Sequence, residues 1–176
     1  VANEMFAPRI PVFTGEKKAQ TLEKIKTSGM EISMLTSGAC LGGDNIDAFM
    51  EEAKAYIDMA QEIGVPYVRV MVSSVPQPTG EEDLEQTREK YAELCKYAEG
   101  KNVKALIETN GILANSDVLA ELMRSIDSPA AGVLWDIHHP YRYYRESPQK
   151  TYENLKDWIC YCHVKDSVMV DDKVEY

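Results

Sequence analysis

The stretch Val103-Lys104-Ala105-Leu106-Ile107-Glu108-Thr109-Asn110 decides the fold. It is a short apolar run that follows a helix stop at Gly100 and breaks into polar residues at Glu108. Runs of this kind are how strands buried on both faces read. Four more match it, at 31–35, 67–71, 131–135 and 159–163. Their starts lie about 36, 36, 28 and 28 residues apart, the length of a strand plus a right-handed helical crossover.

Helical patterns fill the gaps. One begins at Thr14 and stops at Gly29. A second is capped by Asp44, carries Ile46, Phe49, Met50, Ala53, Ile57, Ala60 and Ile63 at helical spacing, and stops at Gly64. Thr79 with Glu82 offers a capping box for a third, whose apolar stripe is Leu84, Tyr91, Leu94, Cys95 and Ala98. A fourth starts near Asn115. A fifth starts at Ser147-Pro148, with Tyr152, Leu155 and Trp158 facing inward.

Strict alternation admits an open doubly wound sheet or a closed (β/α)₈ TIM barrel. No G-x-G-x-x-G or P-loop follows a strand, and the glycine-rich Ser37–Gly43 turn reads as an ordinary βα loop. The expected fold class is therefore α/β, a (β/α)₈ barrel forming a single domain over 1–176. A whole barrel takes about 250 residues. The chain is thus expected to be an incomplete barrel of about five βα units, with the first one or two strands and strand eight missing. On that reading the 176 residues alone should be inactive toward any sugar, associating through open edges or needing the missing segments.

Composition narrows the function. The chain has 29 acidic and 19 basic residues and a net charge of -10, which opposes binding to a nucleic acid backbone. No apolar run is long enough for a membrane span. Four cysteines, Cys40, Cys95, Cys160 and Cys162, are too few for a secreted disulfide scaffold, and the expected location is cytoplasmic. Strand parity puts Cys160 and Cys162 outward, as buried packing residues, if His163 and Tyr161 point inward.

Polar groups gather where the strands finish: Glu108 on the third run, Asp136 on the fourth, His163 on the fifth. In a barrel those ends converge on one mouth. Two carboxylates and an imidazole there suit a divalent metal, although a helix cap, a loop salt bridge or a structural histidine would also account for each singly. Pro140-Tyr-Arg-Tyr-Tyr-Arg-Glu146 interleaves aromatic and basic residues. It reads as a packed surface loop or as a loop covering a substrate at the mouth.

The series Ile107-Glu-Thr-Asn110, Trp135-Asp-Ile-His-His139 and His163-Val-Lys-Asp166, with Tyr67-Val-Arg-Val-Met71 before it, resembles the xylose isomerase-like barrel superfamily. The resemblance covers nearly the whole chain. It implies metal ligands at Glu108, Asp136 and His163, with Glu108 also a catalytic acid/base, and substrate contacts at His139, Arg69 and Lys165. A strand-eight glutamate of that family has no counterpart here. The implied activity is a metal-dependent isomerase or epimerase of a sugar, sugar phosphate or keto-sugar, working through an enediolate and using Mn, Mg, Co or Zn. Its partner is a small sugar or polyol-derived ketone, with a homo-oligomer as a possible assembly. The alternatives are an inosose dehydratase-type lyase, a non-catalytic sugar-binding barrel and, least favoured by the charge, an apurinic-site endonuclease.

Overall fold

A computed structural model describes residues 2–5, 13, 15–171 and 173–175. Six parallel strands form one sheet: β1 (Ala2–Met5), β2 (Glu31–Cys40), β3 (Tyr67–Met71), β4 (Lys104–Glu108), β5 (Ala131–Asp136) and β6 (Ile159–His163). They lie in sequence order, each beside the next. The sheet curls into part of a (β/α)₈ barrel. The helices are α1 (Lys17–Thr27), α2 (Ile46–Ile63), α3 (Leu84–Ala98), α4 (Ser116–Arg124), α5 (His138–Tyr144) and α6 (Pro148–Leu155). An antiparallel hairpin of β7 (Val168–Val170) and β8 (Lys173–Glu175) follows. Among the described residues no helix is long and apolar enough to cross a membrane.

All five strands expected from the sequence are present, and β1 is an addition that pairs with β2. Its sequence, Ala-Asn-Glu-Met, has no apolar run to announce it. The strand β2 extends to Cys40, so most of the glycine-rich turn is strand rather than loop. Glu82 does not cap α3. Its carboxylate accepts the Thr79 and Gly80 N–H groups, while Asp83 caps the helix by accepting from Gln86. The Thr14 cap lies outside the described residues. Asn115 and Ser147 cap α4 and α6 as expected. Tyr152 is exposed, however, because α6 buries Thr151 and Leu155 four apart and Tyr152 turns about 100° away.

Alternate strand residues serve two cores. Val68, Val70, Ala105, Ile107, Ala131 and Val133 face the helices, where Met50, Ala53, Ile57 and Ala60 of α2 meet them. Met34, Leu106 and Leu134 fill the interior, with Tyr67, Cys160 and Tyr161 packed against them. Gly132 belongs to this layer by necessity. A Cβ there would lie 2.6 Å from Leu106 and 2.8 Å from the Cys160 sulfur. The register of β5 and β6 slips at that point, from Val133 opposite Ile159 to Leu134 opposite Tyr161. Cys160 is the extra residue of a bulge. It therefore packs toward the interior instead of outward, correcting the parity reading. Cys162 does face outward but is exposed, not buried. It stands on the sheet's edge strand.

Tyr91 of α3 ties the helix layer to the sheet. Its buried hydroxyl lies 2.9 Å from the carbonyls of Ala105 and Gly132 and accepts the Gly132 N–H at 3.0 Å. Tyr91→Phe leaves these groups without their partner and should destabilise the protein by about 1–3 kcal/mol. Urea unfolding checks this, through a lower midpoint at an unchanged slope.

Candidate metal centre

The strand ends carry three sequence-predicted ligands to one point. Glu108 closes β4, Asp136 closes β5 and His163 closes β6, with Asp136 and His163 directly paired across the two strands. One donor atom from each lies within 4.8 Å of the others. Glu108 and Asp136 are 4% and 1% exposed. Burying two carboxylates this deeply requires compensating charge or hydrogen bonds.

For Glu108 the compensation comes from β3. Arg69 Nη1 donates to Glu108 Oε2 at 2.9 Å, and His163 Nδ1 lies 3.5 Å from Oε1. Burial works to raise the Glu108 carboxyl, but the His163 contact and the Arg69 guanidinium outweigh it and bring the pKa down to about 2. Arg69 is itself held, donating through Nη2 to the Ser37 carbonyl at 2.7 Å, while Ser37 Oγ donates to the Arg69 carbonyl at 2.6 Å.

For Asp136 the compensation comes from beyond β6. Lys165 Nζ lies 3.0 Å from Oδ2, and Oδ1 accepts the His138 N–H at 3.0 Å. Lys165 also lies 2.7 Å from His139 Nε2. The other His139 nitrogen, Nδ1, is 2.8 Å from the Thr109 carbonyl, which can only accept. Nδ1 therefore carries the proton and Nε2 takes one from the lysine. Burial, with Lys165 adding to it, lowers the His139 pKa against the opposing pull of Asp136. The ring is neutral, and its 3.5 Å approach to Asp136 is not an ion pair.

All six residues expected from the sequence thus meet at one mouth. Asp136, His138 and His139 form a second close group. Both His139 nitrogens are engaged and His138 Nε2 contacts Ser167 Oγ at 2.6 Å, whereas Glu108, Asp136 and His163 each close a strand of the sheet. Sequence reading missed three supports. Thr109 Oγ1 accepts the Asp136 N–H at 2.9 Å and donates to its carbonyl at 3.1 Å. Asn110 holds the loop after β3, accepting from Val72 and donating to the Ser73 carbonyl. Ser167 receives Arg142 and His138. Thr109 and Asn110 follow Glu108 directly, and that adjacency was their only signal. The 140–146 segment is the other correction: most of it is helix α5, not loop.

Carboxylates and a histidine at the C-terminal mouth of parallel strands could hold a metal ion. The chain belongs to the xylose isomerase-like TIM barrel family, whose model matches residues 2–174. Solved structures share the fold. A xylose isomerase domain protein from Planctomyces limnophilus superposes with a TM-score of 0.77 at 16% identity, covering 97% of this chain and 67% of that one. A D-tagatose 3-epimerase-like protein gives 0.77 at 20%, with 97% and 69% covered. The probable 3-DHS dehydratase AsbF of Bacillus anthracis gives 0.75 at 14%, with 97% and 64% covered. The chain thus spans about two thirds of the length of these structures. Two further structures of this fold are described with magnesium and with a zinc atom. No curated protein matches the chain.

The Glu108 environment has a pH signature. A carboxyl held at about 2 against an ordinary 4.5 contributes stability that is present above the ordinary value. That contribution is lost as pH falls through the window between them. Chelator-treated Glu108→Gln protein should therefore show a shallower loss of stability across that window than the native sequence, measured by urea midpoints at successive pH values. An equal slope would remove Glu108 from the acid response.

Proposed function

We propose that this chain is part of a metal-dependent sugar isomerase or epimerase that works through an enediolate. The observation that carries this reading is the convergence of Glu108, Asp136 and His163, two buried carboxylates beside one imidazole. Hard oxygen donors with one nitrogen suit Mn, Mg, Co or Zn, and one donor atom from each residue lies within 4.8 Å of the others. A bound ion would supply Lewis-acid polarisation of a substrate carbonyl and its neighbouring hydroxyl.

The chain's own residues do the rest in this reading. Glu108, kept ionised, is in the form that both ligates and accepts an α-proton. Arg69 restrains it and offers positive charge to a substrate oxygen. Lys165 presents an ammonium group and His139 a fixed neutral ring at the same mouth, where they orient hydroxyls. Lyase chemistry of the dehydratase kind shares the enolate step. The AsbF likeness favours keeping it as the second reading.

Titration with Mn²⁺ by calorimetry tests the centre. Altering groups that merely support metal ligands costs about 10–100-fold in affinity, so Glu108→Gln and Asp136→Asn should each weaken binding by at least about 100-fold. Transfer of deuterium from solvent into a panel of ketoses, aldoses and polyol-derived ketones, assayed with the full-length protein, then tests the chemistry. Affinity for Mn²⁺ unchanged in both variants would overturn the proposal.

A further inference from the structure

Among the described residues, Asp136 belongs to two close groups of ligand-type side chains, Glu108–Asp136–His163 and Asp136–His138–His139. The first group is the candidate centre. In the second, a cation that belongs to the chain already sits against the donors. Lys165 Nζ lies 2.7 Å from His139 Nε2 and 3.0 Å from Asp136 Oδ2, and those two atoms are 3.5 Å apart.

The surroundings of the ammonium are those a metal ion would receive. The Thr109 carbonyl accepts the Nδ1 proton of His139, the contact by which metal-ligating histidines turn Nε2 toward an ion. The His138 N–H holds Asp136 Oδ1, so that Oδ2 is aimed at the same point as His139 Nε2. His138 stands near enough to add a third donor. Imidazole nitrogen with carboxylate oxygen is a donor set that Zn²⁺ accepts. An ammonium and a metal ion need the same lone pairs and repel each other, so at this position one excludes the other.

Lys165 reaches this position from the segment after β6, with a side chain 34% exposed against 2% for Asp136. The lysine is tethered, so it is at hand whatever the metal concentration. It meets the buried carboxylate with one positive charge, where an ion would bring two. We propose that Lys165 is a built-in cation that fills a latent second metal position, bounded by Asp136, His138 and His139, and so holds the mouth to a single divalent ion. The single ion rests on the metal-centre reading above. The latent position rests on the lysine's own contacts.

Chelator-treated protein is dialysed to equilibrium against Zn²⁺ alone, and the bound metal is counted by mass spectrometry. Native protein should hold about one Zn²⁺ per chain and Lys165→Ala about two. Adding His139→Gln to Lys165→Ala should remove the gained ion, because it takes away the nitrogen that Lys165 covers. Lys165→Gln carries the same expectation as Lys165→Ala and is read in its place if circular dichroism shows the alanine variant unfolded. Two ions on the native protein, no gain in the folded neutral variant, or a gained ion that survives His139→Gln would each overturn the proposal. The two readings fail differently. One ion on both native and neutral variant sinks only the latent position, whereas no ion on the native protein with a His139-dependent ion on the variant sinks only the metal centre.

Discussion

Arg69 and Glu108 form a charge pair with side chains 13% and 5% exposed, at the point where β3 and β4 meet the barrel mouth. Neither charge could remain there alone. Stripping a buried ion of its partner costs about 3–5 kcal/mol, close to the whole stability of a small domain. The pair therefore constrains everything around it. Arg69 reaches Glu108 only because Ser37 grips both its side chain and its backbone from β2. Three successive strands are thus pinned at one level, just above the apolar layer of Met34, Leu106 and Leu134. The layer fills the interior beneath, and the polar groups stand above it at the strand ends.

The second constraint is one of register. Strand residues alternate faces, so a slip of one residue exchanges the two. Continuing the pairing of Val133 with Ile159 without a slip would set Cys162 opposite Asp136 and turn His163 away. The bulge at Cys160 adds the one residue that brings His163 to Asp136. Gly132 makes the bulge possible by leaving the space that the Cys160 sulfur fills. A glycine near the start of one strand thus helps determine which side chain of the next reaches the site.

Much of the site was legible in the sequence because Glu108, Asp136 and His163 are each where an apolar run first turns polar, and strand ends converge in any barrel. The bulge was not legible, since register belongs to a pair of strands and no single strand's sequence records it. Parity from an unbroken strand consequently placed His163 rightly and Cys160 wrongly. The helix α5 was hidden by Pro140, which reads as a break. Pro140 is the third residue of α5, among the first turn's N–H groups that have no helical partner, and there proline costs little. The strand β1 was hidden for the opposite reason: hydrogen bonding to β2, not its own apolar content, makes it a strand.

The mouth has two halves built on different logic. On one side a guanidinium and an imidazole flank Glu108, and the carboxyl stays ionised despite burial. On the other, Thr109 does two tasks. Its side chain fixes the backbone of Asp136, and its carbonyl fixes the proton of His139 on Nδ1. That leaves Nε2 as an acceptor, which positions the Lys165 ammonium over Asp136. Both carboxylates are thereby aimed before any ligand arrives. The cost of holding them is met by neighbours rather than by the ligand's own binding energy. A preorganised mouth of this kind spares a ligand the cost of ordering these groups when it binds.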